Sequence, residues 1–155
     1  MSLPQLASYP PKTLESQKAF RFQTSVRTTE EMVRLIETVI RAMAEAGYSK
    51  KDQFAIRLAL EEAIVNGIKH GNQNDRTKRV RVRYQVKAGW VLAEVEDQGK
   101  GFDPNQVPDP LDLENLDQPS GRGLLLMRSY TTWIRHNPRG NQVTLCKYRS
   151  PTNDH

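Results

Sequence analysis

The sequence predicts an α+β fold, a two-layer sandwich in which about three helices cover one face of a mixed, mostly antiparallel sheet. Three observations support this class. Three segments have helical composition, five show the alternation typical of strands, and two pairs of strands are joined by connections short enough for hairpins. Because the order is strand, two helices, hairpin, long loop, helix and hairpin, we expect the helices on one side of the sheet.

The composition limits the class of protein. The 155 residues are 37% hydrophobic and 26% charged, which is typical of one globular domain with its own core. A single cysteine, Cys146, excludes an internal disulfide, and only three histidines accompany it, which excludes a Cys/His zinc cluster. No apolar run approaches the roughly 18 residues that span a bilayer, and the amino terminus lacks the features of a secretory signal. We therefore expect a cytoplasmic protein with no membrane partner.

The positive charge raises the question of nucleic acid. The formal net charge is +5, and residues 76–83 read RTKRVRVR. Within this segment Val80 and Val82 alternate with arginines, which is typical of a strand with one solvated face rather than of a phosphate-binding tail. We expect no nucleic-acid partner.

The chain divides into an arm, a folded domain and a tail. Residues 1–17 carry three prolines and little periodicity, so they are predicted to form a flexible amino-terminal arm. The folded domain is predicted at 18–149 and the carboxy-terminal tail at 150–155. The domain begins with a predicted half-buried strand at 18–26, because Phe20 and Phe22 alternate with polar residues.

Two helices are predicted next. Thr28 or Thr29 offers the N-cap of the first, two acids follow where the helix dipole favours them, and the helix closes near Gly47. Ser49 is predicted to cap the second helix, which runs to about Gly71. The core-facing ridge of this second helix consists of Ile56, Leu60, Ile64 and Ile68.

The other predicted elements are strands at 78–87, 90–96, 131–136 and 142–148 and a helix at 124–130. The Ala88-Gly89 connection is short, which indicates an antiparallel hairpin. Residues 97–118 form a polar, proline-rich stretch that is too long for a simple connector, and loops of this length in compact domains are usually functional.

Glu62, Asn66 and His70 form a polar row on the second helix, because steps of four residues place side chains on one face. An amide oxygen on Asn66 suits a hard cation such as magnesium, and Glu62, one turn earlier, suits a general base. Glu61 lies about 100° round the helix and should not face the same site. The alternative is an ordinary exposed helix face. We interpret His70 as a structural residue that packs or caps the helix end.

Asp97, Gly99 and Gly101 follow a predicted strand. Such a segment is most often a turn, because glycine reaches conformations that other residues avoid. The alternative is a site that reads the edge of a nucleotide base. In that case Asp97 accepts a hydrogen bond from an amine such as adenine N6, and the glycines admit the base closely.

Gly121, Arg122 and Gly123 precede the predicted third helix. They are read either as a plain helix start or as an anion site, since backbone N–H groups at a helix amino terminus bind anions and Arg122 adds a charge-assisted contact to phosphate. The segment matches neither the Walker A pattern nor a dinucleotide fingerprint.

The three segments together, in this order, resemble the GHKL ATPase superfamily. ALEEAIVNGIKHG is similar to its N box, EDQGKGFDP to its first glycine box and SGRGLLLM to its second, and the resemblance covers residues 20–148. The small size, the short lid and the phrase GNQVTL are most similar to the branch of anti-sigma-factor serine/threonine kinases. Gly67 departs from the family pattern, which usually has alanine after the asparagine.

The resemblance implies a Bergerat-type ATP-binding fold and assigns roles to the singled-out residues. Glu62 is implied to be the catalytic base, Asn66 the magnesium ligand and Asp97 the adenine contact. The pocket is implied to be lined by Gly99, Gly101, Gly121 and Gly123, with residues 102–120 as the ATP lid.

The family also implies cofactors and partners. These are ATP and magnesium, a sigma factor, and a small STAS-type antagonist that receives the γ-phosphoryl group on a serine or threonine; a homodimer fits the family as well. The alternatives are a nucleotide-gated partner-binding module without kinase activity and a detached catalytic domain of a histidine kinase.

Overall fold

The computed structural model describes residues 20–100 and 130–151. The strands are β1 (Phe22–Val26), β2 (Val80–Val86), β3 (Trp90–Glu96), β4 (Trp133–His136) and β5 (Gln142–Tyr148), and the helices are α1 (Thr29–Glu45) and α2 (Lys50–Asn66), which continues as a π-helical turn, Gly67–Gly71. The predicted lid, the predicted arm and all of the predicted third helix except its last residue, Tyr130, lie outside the described residues.

The five strands form one sheet in the order β1-β2-β3-β5-β4. Every pairing between these strands is antiparallel, and both predicted hairpins, β2–β3 and β4–β5, are present. Helices α1 and α2 pack on one face, so the predicted α+β sandwich is confirmed. Within residues 20–100 and 130–151, no helix is long and apolar enough to cross a membrane.

Local sequence signals set the helix ends. The Thr28 hydroxyl accepts a hydrogen bond from Glu31 N–H at 3.1 Å, which satisfies one of the free donors at the start of α1. The Ser49 hydroxyl does the same for Asp52 N–H at the start of α2. Gly47 follows α1 with a φ of 88°, a left-handed conformation that favours glycine. The predicted caps are therefore confirmed.

One hydrophobic core lies between the helices and the sheet. The α2 residues Ile56, Leu60 and Ile64 are fully buried, and Ile68 packs against the same core, so the predicted ridge is confirmed. The sheet contributes alternate residues of its inner strands, which are Val80, Val82, Tyr84, Val91, Ala93, Val95, Val143 and Leu145. Removal of this apolar surface from water is the main stabilising contribution.

The half-buried face predicted for the first strand is wrong. Phe22 is 48% exposed, and Val26 alone is buried in β1. The reason is position: β1 lies at the end of the strand order and pairs with β2 alone among the described strands, so the core reaches only its last residue. The Phe22 ring stacks instead on Tyr84, with centroids 5.2 Å apart.

The solvated arginine face predicted for β2 is also corrected. Val80 and Val82 are buried as expected, but Arg83 donates to both carboxylate oxygens of Glu94 at 2.6–2.8 Å, and Glu94 is 1% exposed. Arg81 lies 3.0 Å from Glu96. The register of β2 with β3 places each acid directly opposite an arginine, so the charge of the strand is paired within the sheet.

Candidate functional site

The carboxy-terminal end of α2 changes from α-helix to a π-helical turn at Gly67. The turn is closed by a hydrogen bond from Asn72 N–H to the Gly67 carbonyl at 2.8 Å. Single π-helical turns are rare and occur frequently at functional sites. This turn places Gly71 against Asp97, the first residue after β3.

Gly71 and Gly99 allow a close approach between α2 and the segment after β3. A Cβ atom on Gly71 would collide with the Asp97 carboxylate, and one on Gly99 would collide with the Gly71 carbonyl oxygen. Only residues without a side chain fit both positions. The structure therefore brings the π-helical turn that follows α2 and the acid-glycine segment together, and we refer to this contact of Gly71, Asp97 and Gly99 as the junction.

The backbone of Asp97 is held on both sides. Its N–H donates to the Asn141 carbonyl at 2.9 Å, and its own carbonyl accepts from Asn141 Nδ2 at 3.0 Å. Its carboxylate Oδ1 accepts from Gly99 N–H at 2.8 Å. Within the described part of the chain this is the hydrogen bond that the carboxylate accepts, and it leaves Oδ2 able to accept from an amine.

Burial raises the pKa of Asp97, and the Glu96 charge adds to this effect. The hydrogen bond from Gly99 and the positive charges of Arg139 and Lys78 act in the opposite direction but do not cancel it. The carboxylate is therefore kept partly desolvated, which strengthens any hydrogen bond that it accepts.

Glu62 and Glu61 have different surroundings, as the helix geometry predicts. Glu61 is exposed, whereas Glu62 is half-buried. Burial raises the pKa of Glu62, the neighbouring Glu61 charge raises it further, and Lys69 lowers it. No hydrogen bond between described residues engages the Glu62 carboxylate. A carboxylate with a raised pKa and a free lone pair is suited to accept a proton.

Asn66 is half-buried one turn after Glu62, at the last position of α2. Lys69 and His70, in the π-helical turn, are exposed, so His70 does not pack in the core. Of the residues predicted to bind the nucleotide or to act in catalysis, the structure describes Glu62, Asn66, Asp97 and Gly99. Gly101, Gly121, Arg122, Gly123 and the predicted lid, 102–120, lie outside the described residues.

Three residues near Asp97 were missed by the sequence analysis. Asn72 is buried beside the junction, Asn141 holds the Asp97 backbone, and Arg139 donates to the Gly99 carbonyl at 3.3 Å. Asn72 and Asn141 stand in segments read as plain turns. Their roles depend on which strands become neighbours, and the sequence carries no local signal of that.

A two-layer α+β sandwich, in which the helix that carries the polar row ends against an acid-glycine segment, is the arrangement of the histidine kinase-like ATPases. The chain belongs to this family: the model of the "Histidine kinase-like ATPase domain" matches residues 26–147. Membership implies that the domain binds ATP.

Curated relatives are similar over much of the chain. "Serine-protein kinase RsbW" of Bacillus subtilis (strain 168) is 28% identical over 134 residues, which is 81% of this chain and 84% of the relative. The protein of the same name from Bacillus licheniformis is 32% identical over 112 residues, 68% of this chain and 70% of the relative. "Anti-sigma F factor" of Clostridium botulinum (strain Eklund 17B / Type B) is 31% identical over 77 residues, 48% of this chain and 54% of the relative.

Proposed function

We propose that this chain is an ATP- and magnesium-dependent protein kinase of the anti-sigma type, which acts in the cytoplasm. It binds a sigma factor and transfers the γ-phosphoryl group of ATP to a serine or threonine of a small STAS-type antagonist. The observation that carries the proposal is the junction, which joins the helix of Glu62 and Asn66 to the half-buried acceptor Asp97. The names of the relatives, a serine-protein kinase and an anti-sigma F factor, support the kinase activity and the sigma-factor partner.

The residues at the junction fit an adenine nucleotide. Asp97 offers Oδ2 to the adenine amine, and the glycine at position 99 lets its N–H hold Oδ1 of the same carboxylate while the Gly71 backbone lies close by. Asn66 supplies an amide oxygen for magnesium, which would offset phosphate charge when bound. Gly101, Gly121, Arg122 and Gly123 complete the proposed phosphate and base contacts, since backbone N–H groups and a guanidinium favour anions.

Glu62 is proposed as the general base. It accepts the proton of the serine or threonine hydroxyl as that oxygen attacks the γ-phosphorus. Its raised pKa brings it closer to neutral pH, where a base exchanges protons more effectively. Its half-buried position one turn before Asn66 places the base and the proposed metal ligand on the same helix face.

The test is phosphoryl transfer from labelled ATP to the cognate antagonist in the presence of magnesium. We expect acid-stable phosphate on the antagonist. Glu62→Gln should lower the rate by about 10²- to 10⁴-fold while the ATP affinity changes only a few-fold. Glu61→Gln is the matched control, because it removes a carboxylate of the same size at the adjacent, exposed position, and it should retain transfer.

Three results would contradict this proposal in different ways. ATP binding without any transfer by the wild type would favour the nucleotide-gated binding module. Acid-labile phosphate on the acceptor would favour the histidine-kinase type of activity. Undiminished transfer by Glu62→Gln would remove Glu62 as the base and leave the rest of the proposal standing.

We further propose that the chain forms a homodimer through the outer side of β1. Within the described residues β1 pairs on one side only, and Phe22 remains 48% exposed beside it. Light scattering should give twice the mass of one chain, and Phe22→Glu should shift the distribution toward the monomer. A monomeric wild type at high concentration would contradict the dimer.

A further inference from the structure

Asn72, directly after the π-helical turn, is 2% exposed although its side-chain amide carries both a donor and an acceptor. A buried amide is costly unless its donor and its acceptor both find partners. Asn72 lies beyond the segment that resembles the N box, and neither the resemblance nor the proposed function gives it a role.

Both ends of the Asn72 amide bind backbone atoms of other elements. Oδ1 accepts from Gln98 N–H at 2.7 Å, and Nδ2 donates to the Arg79 carbonyl at 3.1 Å. A third hydrogen bond closes the triangle, because Arg79 N–H donates to Gln98 Oε1 at 2.7 Å. One side chain thus ties the end of α2 to the start of β2 and to the segment after β3.

The surrounding backbone is held in an unfavourable conformation. Gln73 and Asn74 have φ values of 53° and 59°, in the left-handed region. Such conformations cost about 1 kcal/mol or more per residue and persist where the surroundings determine them. The hydrogen bonds of the Asn72 side chain and of its N–H to the Gly67 carbonyl hold the chain at this point, together with those from Asn74 N–H to the Ile68 carbonyl and from Asp75 N–H to the Asn72 carbonyl.

The bond to Gln98 acts on the neighbouring carboxylate. The Gln98 nitrogen belongs to the peptide group that joins Asp97 to Gln98, and the next N–H, that of Gly99, orients the Asp97 carboxylate at 2.8 Å. We propose that Asn72 is a positioning residue that sets the purine selectivity of the nucleotide site, by fixing the Asp97–Gln98 peptide against the end of α2. This proposal rests on the proposed function and extends it to the choice of base.

The position of the Asp97 carboxylate affects purine selectivity because adenine and guanine carry different hydrogen-bonding groups on the same edge. A carboxylate oxygen accepts from the exocyclic N6 amine of adenine, whereas guanine presents the carbonyl oxygen O6 at the same ring position and has no donor there. A site built around one hydrogen bond rejects the analogue that lacks it, provided that the acceptor is fixed in place. Loss of Asn72 removes one of the two side chains that hold the Asp97–Gln98 peptide, the other being Asn141, so it should loosen the acceptor and weaken ATP binding more than GTP binding.

The test measures the dissociation constants of non-hydrolysable ATP and GTP analogues, with magnesium, for three proteins. These are the wild type, Asn72→Ala and the control Gln53→Ala. Gln53 is a matched buried amide, 8% exposed, which donates to the Tyr48 carbonyl at 2.9 Å at the opposite end of α2. We expect both variants to lower the unfolding temperature, but only Asn72→Ala to reduce the preference for ATP over GTP, by about tenfold or more.

An unchanged ATP/GTP preference in a folded Asn72→Ala variant would overturn the proposal. If that variant does not fold, the wild type supplies the second measurement. The Gln98 N–H and Asn72 side-chain amide resonances should shift with the ATP analogue and much less with the GTP analogue, and equal shifts would overturn the proposal. A wild type that binds neither nucleotide would instead contradict the proposed function, so the two failures are distinguishable.

Discussion

Glu62 and Asp97 are carboxylates for which ionisation is unfavourable in the folded chain. Burial is the main cause of the raised pKa in both residues. A desolvated carboxylate without a full set of partners reduces the stability of the fold when it ionises. Carboxylates with raised pKa values are typical of binding and catalytic sites, where a loss of stability is tolerated for function.

The pH dependence of phosphoryl transfer should report on Glu62. The base must be ionised, so the rate should fall as the pH is lowered. Because the pKa of Glu62 is raised, this fall should begin at a higher pH than for an ordinary glutamate, whose pKa is 4.5. Because the Glu61 charge raises the pKa of Glu62, Glu61→Gln should shift this acid limb to lower pH. The measurement is kcat at saturating ATP between about pH 5 and 8. A profile identical in both proteins would contradict the coupling.

Asp97→Asn should stabilise the chain while weakening nucleotide binding. The folded-state pKa of Asp97 is raised, so its ionisation destabilises the fold increasingly as the pH rises through the ordinary range near 3.8. At neutral pH the asparagine amide carries no charge and so avoids the destabilisation that ionised Asp97 causes. We therefore expect the unfolding temperature to rise by about 1–3 °C. The ATP affinity should fall by about tenfold or more, since the amide is a poorer acceptor. A lower unfolding temperature at pH 7 would contradict the prediction, and the difference should vanish in acid.

At the scale of elements, local signals were sufficient for the helices and insufficient for the sheet faces. The Thr28 and Ser49 caps and the ridge of α2 follow from spacing alone, because a helix satisfies its hydrogen bonds within the segment. The exposure of Phe22 and the pairing of Arg83 depend on strand order and register. Strand order and register are set by contacts between distant segments. Alternation alone therefore predicted where the strands are, but not which of their side chains are buried or paired.

Gly71→Ala should disrupt the junction. The new Cβ atom would meet the Asp97 carboxylate, so either the π-helical turn or the acid-glycine segment must move. Overpacking of this kind costs about 1–3 kcal/mol, and displacement of Asp97 should weaken ATP binding. Gly89→Ala is the matched control, because nothing lies within 4 Å of its added Cβ atom. Urea unfolding and calorimetry with an ATP analogue test both effects; equal behaviour of the two variants would contradict a tight junction.

At the scale of the whole molecule, the order of segments was more informative than any single motif. The alternation and the two short connections predicted the α+β sandwich, and helix periodicity singled out Glu62 and Asn66 before any contact was known. The junction itself required the structure, because the π-helical turn after Asn66 has no recognisable sequence signal. Asn72 was missed for the same reason, since its partners are 7 and 26 residues away along the chain.

The end of α2 opposite the junction is fastened to the last described residues. Asp52 is 1% exposed, accepts from Ser150 N–H at 2.9 Å and from the Ser150 hydroxyl, and lies 3.5 Å from Lys147 Nζ. Burial alone would raise the pKa of Asp52, but the hydrogen bonds from Ser150 and the charge of Lys147 outweigh it and lower the pKa. Helix α2 is thus fixed at both ends, by polar contacts at Asp52 and by the glycine contacts at the junction.

Asp52→Asn should therefore lower the stability of the whole domain. A depressed folded-state pKa stabilises the fold above the ordinary pKa near 3.8, and this contribution is lost as the pH falls below it. At pH 7 we expect a loss of about 1–3 kcal/mol in the free energy of unfolding, because a charge-assisted acceptor is removed from a buried site. Glu37→Gln, which breaks an exposed ion pair with Arg57, should have little effect. The measurement is urea unfolding at pH 7 and in acid. The loss of unfolding free energy in Asp52→Asn should shrink on acidification. A loss that stayed constant would mean that packing, rather than charge, holds this end of α2.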